Sequence, residues 1–260
     1  MTAEQQNDQL ELAQLQRALR QQMESLQRAG VQQMGRVPDA PYVVSPPVRT
    51  EAMVETQGET ALEIPAAAAQ LDPMRQLQAL ACEVQRCTLC HELATSRTQT
   101  VFGTGNPRPR LCFLGEAPGA DEDAQGEPFV GAAGRLLNDI LRACTLKRED
   151  VYILNVLKCR PPKNRTPEAG EVEHCRPFFE RQLTILQPEF ICCLGSVASN
   201  ALLQQGKPLG QLRGNFFEWR GSRVLVTYHP AYLLRNPAAK RDVWADMKRL
   251  MHEMGIVLPE

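Results

Sequence analysis

Residues 111–138 read LCFLGEAPGADEDAQGEPFVGAAGRLLN. The first five, Leu111 to Gly115, form an apolar run too short for a core helix and suited to a strand buried on both faces. A loop rich in Gly and Pro follows, and from Gly134 to Cys144 the apolar positions return at helical spacing. This strand, loop and helix pattern recurs along the chain. Val151 to Leu157, Phe190 to Gly195 and Val224 to Tyr228 are further strand-like runs, while Pro167 to Leu186, Val197 to Gln204 and Lys240 to Met254 read as helices. With roughly 30 to 40 residues from one strand to the next, the expected fold class is α/β: a central, mostly parallel four-stranded sheet flanked by helices on both faces. In such a sheet, ligand-binding groups sit on the loops that leave the strand C-termini.

Outward from this core, the composition sets limits. An apolar fraction of 43% over 260 residues supports a sizeable buried core. No run of eighteen apolar residues exists, and the first thirty-three residues hold ten Gln in place of a basic start and an apolar stretch. A membrane span and a secretory signal are therefore not expected, and the protein is expected in the cytosol or at the bacterial nucleoid. The net charge of -1 averages two unlike parts. Residues 1–80 carry six Arg against ten acids, a net of -4, which leaves 23 basic and 20 acidic residues, a net of +3, for the rest. The mildly basic part permits nucleic-acid binding.

Residues 1–35 place Leu12, Leu15, Leu19, Met23 and Leu26 on one stripe of a Gln-rich amphipathic helix, which either lies solvated or binds a partner or a second copy of itself. Residues 36–73, with six Pro and an Ala run, read as a disordered linker. Residues 74–260 form the remaining domain.

Three strand ends carry unusual chemistry. After the first run come Gly115, Glu116, Ala117 and Gly119, a loop able to bring backbone N–H groups close to a ligand oxygen, and then Phe129 between Pro128 and Gly131. The spacing matches neither common nucleotide-phosphate loop. The second run ends near Asn155, whose amide offers a donor and an acceptor together, as the edge of a pyrimidine requires. The fourth ends at His229. Singly, each has an ordinary reading: a satisfied core amide, a core aromatic, a cap at the approach to a helix. Together, at three of the four strand ends, they point to a site.

The segments GEAPGADEDAQGEPFVGAAGRLLN, NVLKCRPPKNRTP and HPAYLLRN resemble the three signature segments of the family 4 uracil-DNA glycosylases, the iron–sulfur branch of the uracil-DNA glycosylase superfamily. The resemblance runs from about Met74 to Met254 with the segments in the same order, and the first seventy or so residues fall outside it. It implies a three-layer α/β fold, a monomeric catalytic domain, uracil-containing DNA as partner, and hydrolysis of the deoxyuridine N-glycosidic bond as the first step of base excision repair. His229 would donate to uracil O2 as negative charge develops there. Asn155 would read N3–H and O4, Phe129 would stack on the base, and Glu122 would lie against C5 and exclude thymine. The best-known branch has GQDPY where this chain has Ala117, so water would be held by the backbone of Glu116 to Gly119, with Glu116 supporting that loop. The covalent uracil-binding branch carries a KRRIH insertion, and Gly210 to Phe216 contain no such His, which disfavours covalent trapping.

Cys87, Cys90, Cys159 and Cys175 match the spacing that the resemblance implies for a [4Fe–4S] cluster, a structural staple between two segments. Four thiolates at this spacing also suit zinc. The other five cysteines sit in apolar text and read as core residues. Phosphate contacts are expected from Arg160, Lys163, Arg165, Arg213 and Arg235, with Leu233 or Leu234 as a wedge in the gap left by a flipped nucleotide. The competing class is a non-enzymatic cluster- or zinc-bearing nucleic-acid module, in which the strand-end residues are merely structural.

Overall fold

Alternate residues along the inner strands enter opposite cores, and that two-residue period builds the molecule. In the computed structural model, which describes residues 72–259, six strands form one mixed sheet in the order β1-β3-β2-β4-β6-β5. They are β1 (Thr104–Gly105), β2 (Leu111–Gly115), β3 (Tyr152–Asn155), β4 (Phe190–Leu194), β5 (Phe216–Trp219) and β6 (Ser222–Thr227). Leu111, Phe113, Ile153, Cys192 and Leu225 point to one face, where they meet Leu137 and Leu141 of α4 (Ala132–Ala143) and Met247 and Leu250 of α9 (Lys240–Glu253). Cys112, Leu114, Leu154, Cys193 and Val226 point to the other. There they meet Leu77 of α1 (Pro73–Gln85), Phe179 and Leu183 of α5 (Ala169–Leu186), and Ala198 and Leu202 of α6 (Ser196–Leu203). Helices thus cover both faces of a sheet whose inner strands are mostly apolar.

The inner pairs β3–β2, β2–β4 and β4–β6 are parallel, and these are the four strands read from the sequence. The expectation of a four-stranded sheet is corrected to six. Both added strands are antiparallel edges: β1 is two residues long and carries no periodicity, and β5 is only half-buried, without the continuous apolar signal of its neighbours. A tight turn at Arg220 and Gly221, both with positive φ, joins β5 to β6 as a hairpin. Short helices α2 (His91–Ser96), α3 (Ala120–Gln125), α7 (Leu209–Leu212) and α8 (Pro230–Arg235) complete the described chain. None of its helices is long and apolar enough to cross a membrane. The Gln-rich helix and the linker lie outside the described residues.

Phe113 is fully buried at the centre of the sheet, whereas Phe217 is half-buried on the edge strand. Phe113→Ala should cost about 3–5 kcal/mol of stability in urea unfolding, and Phe217→Ala less than half of that.

Candidate active site

The C-terminal ends of β2, β3 and β6 open into one cleft of about 710 Å³, lined by Glu116, Ala117, Gly119, Phe129, Asn155 and His229 among others. The register of the parallel pair sets Gly115 beside Asn155. A Cβ at Gly115 would lie 2.2 Å from Asn155 Oδ1 and 2.6 Å from Phe129 Cζ, so only glycine lets the amide and the ring meet there. Asn155 is 2% exposed and its Oδ1 has no hydrogen-bond partner. Leaving a buried acceptor unpaired costs about 1–3 kcal/mol. The reading of Asn155 as a satisfied core amide therefore fails, and the oxygen is available to a donor on a ligand.

His229 occupies the N-cap of α8, with Pro230 as the first helical residue. The Ala231 N–H donates to His229 Nδ1 at 3.1 Å, so in the neutral ring the proton is on Nε2. Burial, reinforced by the nearby Arg235 guanidinium, pushes this imidazole down to about 4. It is neutral at ordinary pH and carries one N–H to offer. The cap reading holds at Nδ1, which leaves the proton of the neutral ring on Nε2. The ring lies 5.4 Å from that of Phe129, tilted by 31°.

Phe129 is buried and has φ 55°, a left-handed conformation that costs a non-glycine residue about 1–3 kcal/mol. The surroundings impose it. A Cβ at Gly134 would lie 1.9 Å from the Phe129 carbonyl oxygen, so helix α4 begins directly against this turn. The Glu122 carboxylate accepts from the amides of Gly119, Val130 and Gly131 at 2.9–3.0 Å. Both of its oxygens thus join the two halves of the loop, and the carboxylate braces the loop while it lines the cleft. Sequence reasoning also missed Arg148, which donates to the carbonyls of Pro128 and Phe129 from behind the loop. It lies outside the motifs, in a short 3₁₀ turn. Burial raises the Glu116 carboxyl above the usual carboxylate range, at the edge of the cleft.

The expected DNA contacts separate into two groups. Arg165 is committed to Glu171, through two hydrogen bonds of 2.7 and 2.9 Å, and to Glu92. Arg213 donates to the buried Asp246, which also accepts from Thr227, and lies over the Tyr228 ring. These two arginines act as internal ties. Arg160 is half-buried and donates to Asn164 Oδ1, while Lys163 and Arg235 are exposed. Leu233 is 1% exposed and belongs to the core, so it is excluded as a wedge, whereas Leu234 is 47% exposed at the cleft.

Cys159 and Cys175 pack together with Leu93 and Leu157, and Cys90 joins them. Arg97 donates to Cys159 Sγ at 2.9 Å and to the carbonyls of Gln85 and Cys87, which ties the CxxC segment to the loop after β3. Among the described residues no three of these sulfurs lie within 4.8 Å of one another. Thiolates around one zinc at about 2.3 Å would be about 3.8 Å apart. Cys112, Cys144, Cys192 and Cys193 are buried in the core as expected, but Cys82 is exposed on α1. A separate acidic group, Glu92, Glu168 and Glu171, surrounds the Arg165 guanidinium.

The cleft at the strand ends of this doubly covered sheet thus brings together an unpaired amide oxygen, an aromatic ring and a neutral imidazole, a set suited to a planar heterocycle. The profile described as the uracil DNA glycosylase superfamily matches residues 102–248. The type-4 uracil-DNA glycosylase of Archaeoglobus fulgidus is 40% identical over 68% of this chain and 92% of its own length. That of Thermotoga maritima is 44% identical over 64% and 88%, and that of Saccharolobus solfataricus 39% over 70% and 88%. The chain belongs to the uracil-DNA glycosylase superfamily, in its type-4 family.

The burial difference in α8 makes a direct contrast. Leu233→Ala should lower stability by about 2–5 kcal/mol, and Leu234→Ala by less than about 0.5 kcal/mol, measured by urea unfolding.

Proposed function

We infer that this protein hydrolyses the N-glycosidic bond of deoxyuridine in DNA, releasing uracil and leaving an abasic site. The single observation that carries the reading is the buried, unpartnered Oδ1 of Asn155 over Gly115, beside the Phe129 ring. Uracil presents an N3–H donor to such an acceptor, and cytosine presents a lone pair at the same position. The target nucleotide must leave the stack to reach the cleft, with the exposed Leu234 entering the gap and Lys163, Arg235 and Arg160 on phosphates.

Bond breaking leaves negative charge on the departing uracil. The Nε2–H of neutral His229 donates to O2, where that charge accumulates, and the interaction strengthens as the bond lengthens. Ala117 offers no carboxylate to serve as a base, so backbone groups from Glu116 to Gly119 hold the water. Glu116, whose carboxyl pKa burial raises, supports the loop. The work falls on stabilising the leaving group.

We also propose that Cys87, Cys90, Cys159 and Cys175 hold a [4Fe–4S] cluster. Cys90, Cys159 and Cys175 pack together and Arg97 ties Cys159 to the Cys87 carbonyl, which supports one shared site, and the family resemblance favours the cluster over zinc. When bound it supplies a structural crosslink between the chain before α2 and the loop that follows Asn155.

Four outcomes are expected. A uracil-containing oligonucleotide treated with the protein and then with alkali should break at the uracil, and an intact strand would overturn the reading. His229→Ala should slow single-turnover release by about two to three powers of ten while DNA binding changes little. The active form of His229 is the neutral one, present above its pKa and lost as pH falls through it. With that pKa lowered to about 4, its acid limb in the release rate should lie near pH 4 and not near 6.5. Purified protein should be brown, with iron and sulfide in equal amounts, and Cys175→Ser should bleach it. Colourless protein with one zinc per chain would exclude the cluster.

A further inference from the structure

We propose that Arg148, outside every signature segment, is a positioning residue that fixes Phe129 for stacking on the flipped base. This rests on the glycosylase reading above. The φ rotation of Phe129 turns the peptide that ends in the Pro128 carbonyl, and its ψ rotation turns the peptide that carries its own carbonyl. The Arg148 guanidinium donates to both of these oxygens, to Phe129 O at 3.3 Å and to Pro128 O through its other terminal nitrogen. One planar fork therefore locks both dihedrals of a residue whose φ of 55° is unfavourable for an aromatic. The guanidinium is itself oriented by Asn138 of α4, whose Oδ1 accepts from Nη1 at 3.3 Å. Glu122 holds the Phe129–Val130 peptide from its N–H side, so the Pro128–Phe129 peptide is the one that Arg148 alone fixes. Glu122 holds the amides that follow Phe129, and Gly134 removes a clash without supplying any attraction. Without Arg148, the Pro128–Phe129 peptide loses its anchor and φ can relax toward the ordinary right-handed region, which swings the ring away from Gly115 and His229.

Lysine keeps the charge but not the fork, so Arg148→Lys and Arg148→Met separate charge from geometry. Arg148→Met should slow single-turnover uracil release at saturating protein by about ten- to a hundred-fold, the scale of a misplacement near one ångström. It should also weaken inhibition by free uracil and leave the affinity for the oligonucleotide within about twofold, since phosphates supply most of it. Arg148→Lys should recover only part of the rate. The decisive measurement is a double-mutant cycle with Phe129→Ala. If Arg148 acts through the ring, its substitution has little further effect once the ring is gone, whereas multiplying effects would overturn the proposal. Should Arg148→Met fail to fold, the same cycle is run with Arg148→Lys. Amide exchange at Val130 and Gly131 gives a readout independent of activity: faster exchange in the variant supports the lock, and unchanged protection overturns it. A wild-type chain that releases no uracil would sink the glycosylase reading, and the exchange result would still decide the role of Arg148 in the loop.

Discussion

The site depends on an absent atom. Parallel register puts Gly115 beside Asn155 at the last position where β2 and β3 pair, and the missing Cβ leaves the space in which the Asn155 amide and the edge of the Phe129 ring approach each other. Any side chain at this position would be driven into both. The acceptor remains unpaired because the neighbours that close over it are a glycine and an aromatic ring, neither of which donates. The fold keeps this defect at a strand end, where the surrounding sheet is mostly apolar and can carry a cost of about 1–3 kcal/mol. Binding a donor there recovers that cost, which makes the same group a source of selectivity.

The groups that face the cleft are mostly uncharged, and several of the charged groups around it are spent on holding its loops. Glu122 gathers three amides, Arg148 holds two carbonyls, and Arg213 with Asp246 and Thr227 ties the segment before β5 to α9 and to the end of β6. Lys158 belongs to this set. Its ammonium is fully buried, donating to the carbonyls of Asn155 at 2.7 Å and Phe102 at 3.2 Å, so it secures the backbone that presents the Asn155 amide. Each of these groups spends its hydrogen bonds on backbone or on a partner charge, and none is left over for a ligand. A charge-poor cleft with rigid walls strengthens the hydrogen bonds made inside it.

This division explains which parts of the molecule were legible in the chain. The inner strands were readable because residues such as Phe113 and Leu114 are apolar on both faces, which leaves a continuous run. Asn155, Phe129 and His229 stood out because polar, aromatic and imidazole groups ended those runs. The edge strands carried no such signal, since a two-residue β1 has no period and β5 is only partly buried. The braces were harder. Glu122 in the first turn of α3 looks identical on paper whether it faces a ligand or folds back on its own loop, and Arg165 and Arg213 look like phosphate ligands until Glu171 and Asp246 are found across gaps of 6 and 33 residues. Leu233 and Leu234 are adjacent and chemically equal. Only the phase of α8 on the core decides that the first is buried and the second is exposed.

That same helix couples the structure to the chemistry. His229 caps α8 through Nδ1, and an imidazolium would carry a proton there and lose the lone pair that the Ala231 amide requires. Protonation is therefore opposed by three features at once: burial, the Arg235 guanidinium at the other end of the same short helix, and the cap itself. A ring held neutral in this way has a single N–H, on Nε2, with no freedom to exchange tautomers without breaking the helix start. It cannot transfer a proton as a strong acid would. The geometry that fixes this single N–H is the ordinary capping of a six-residue helix.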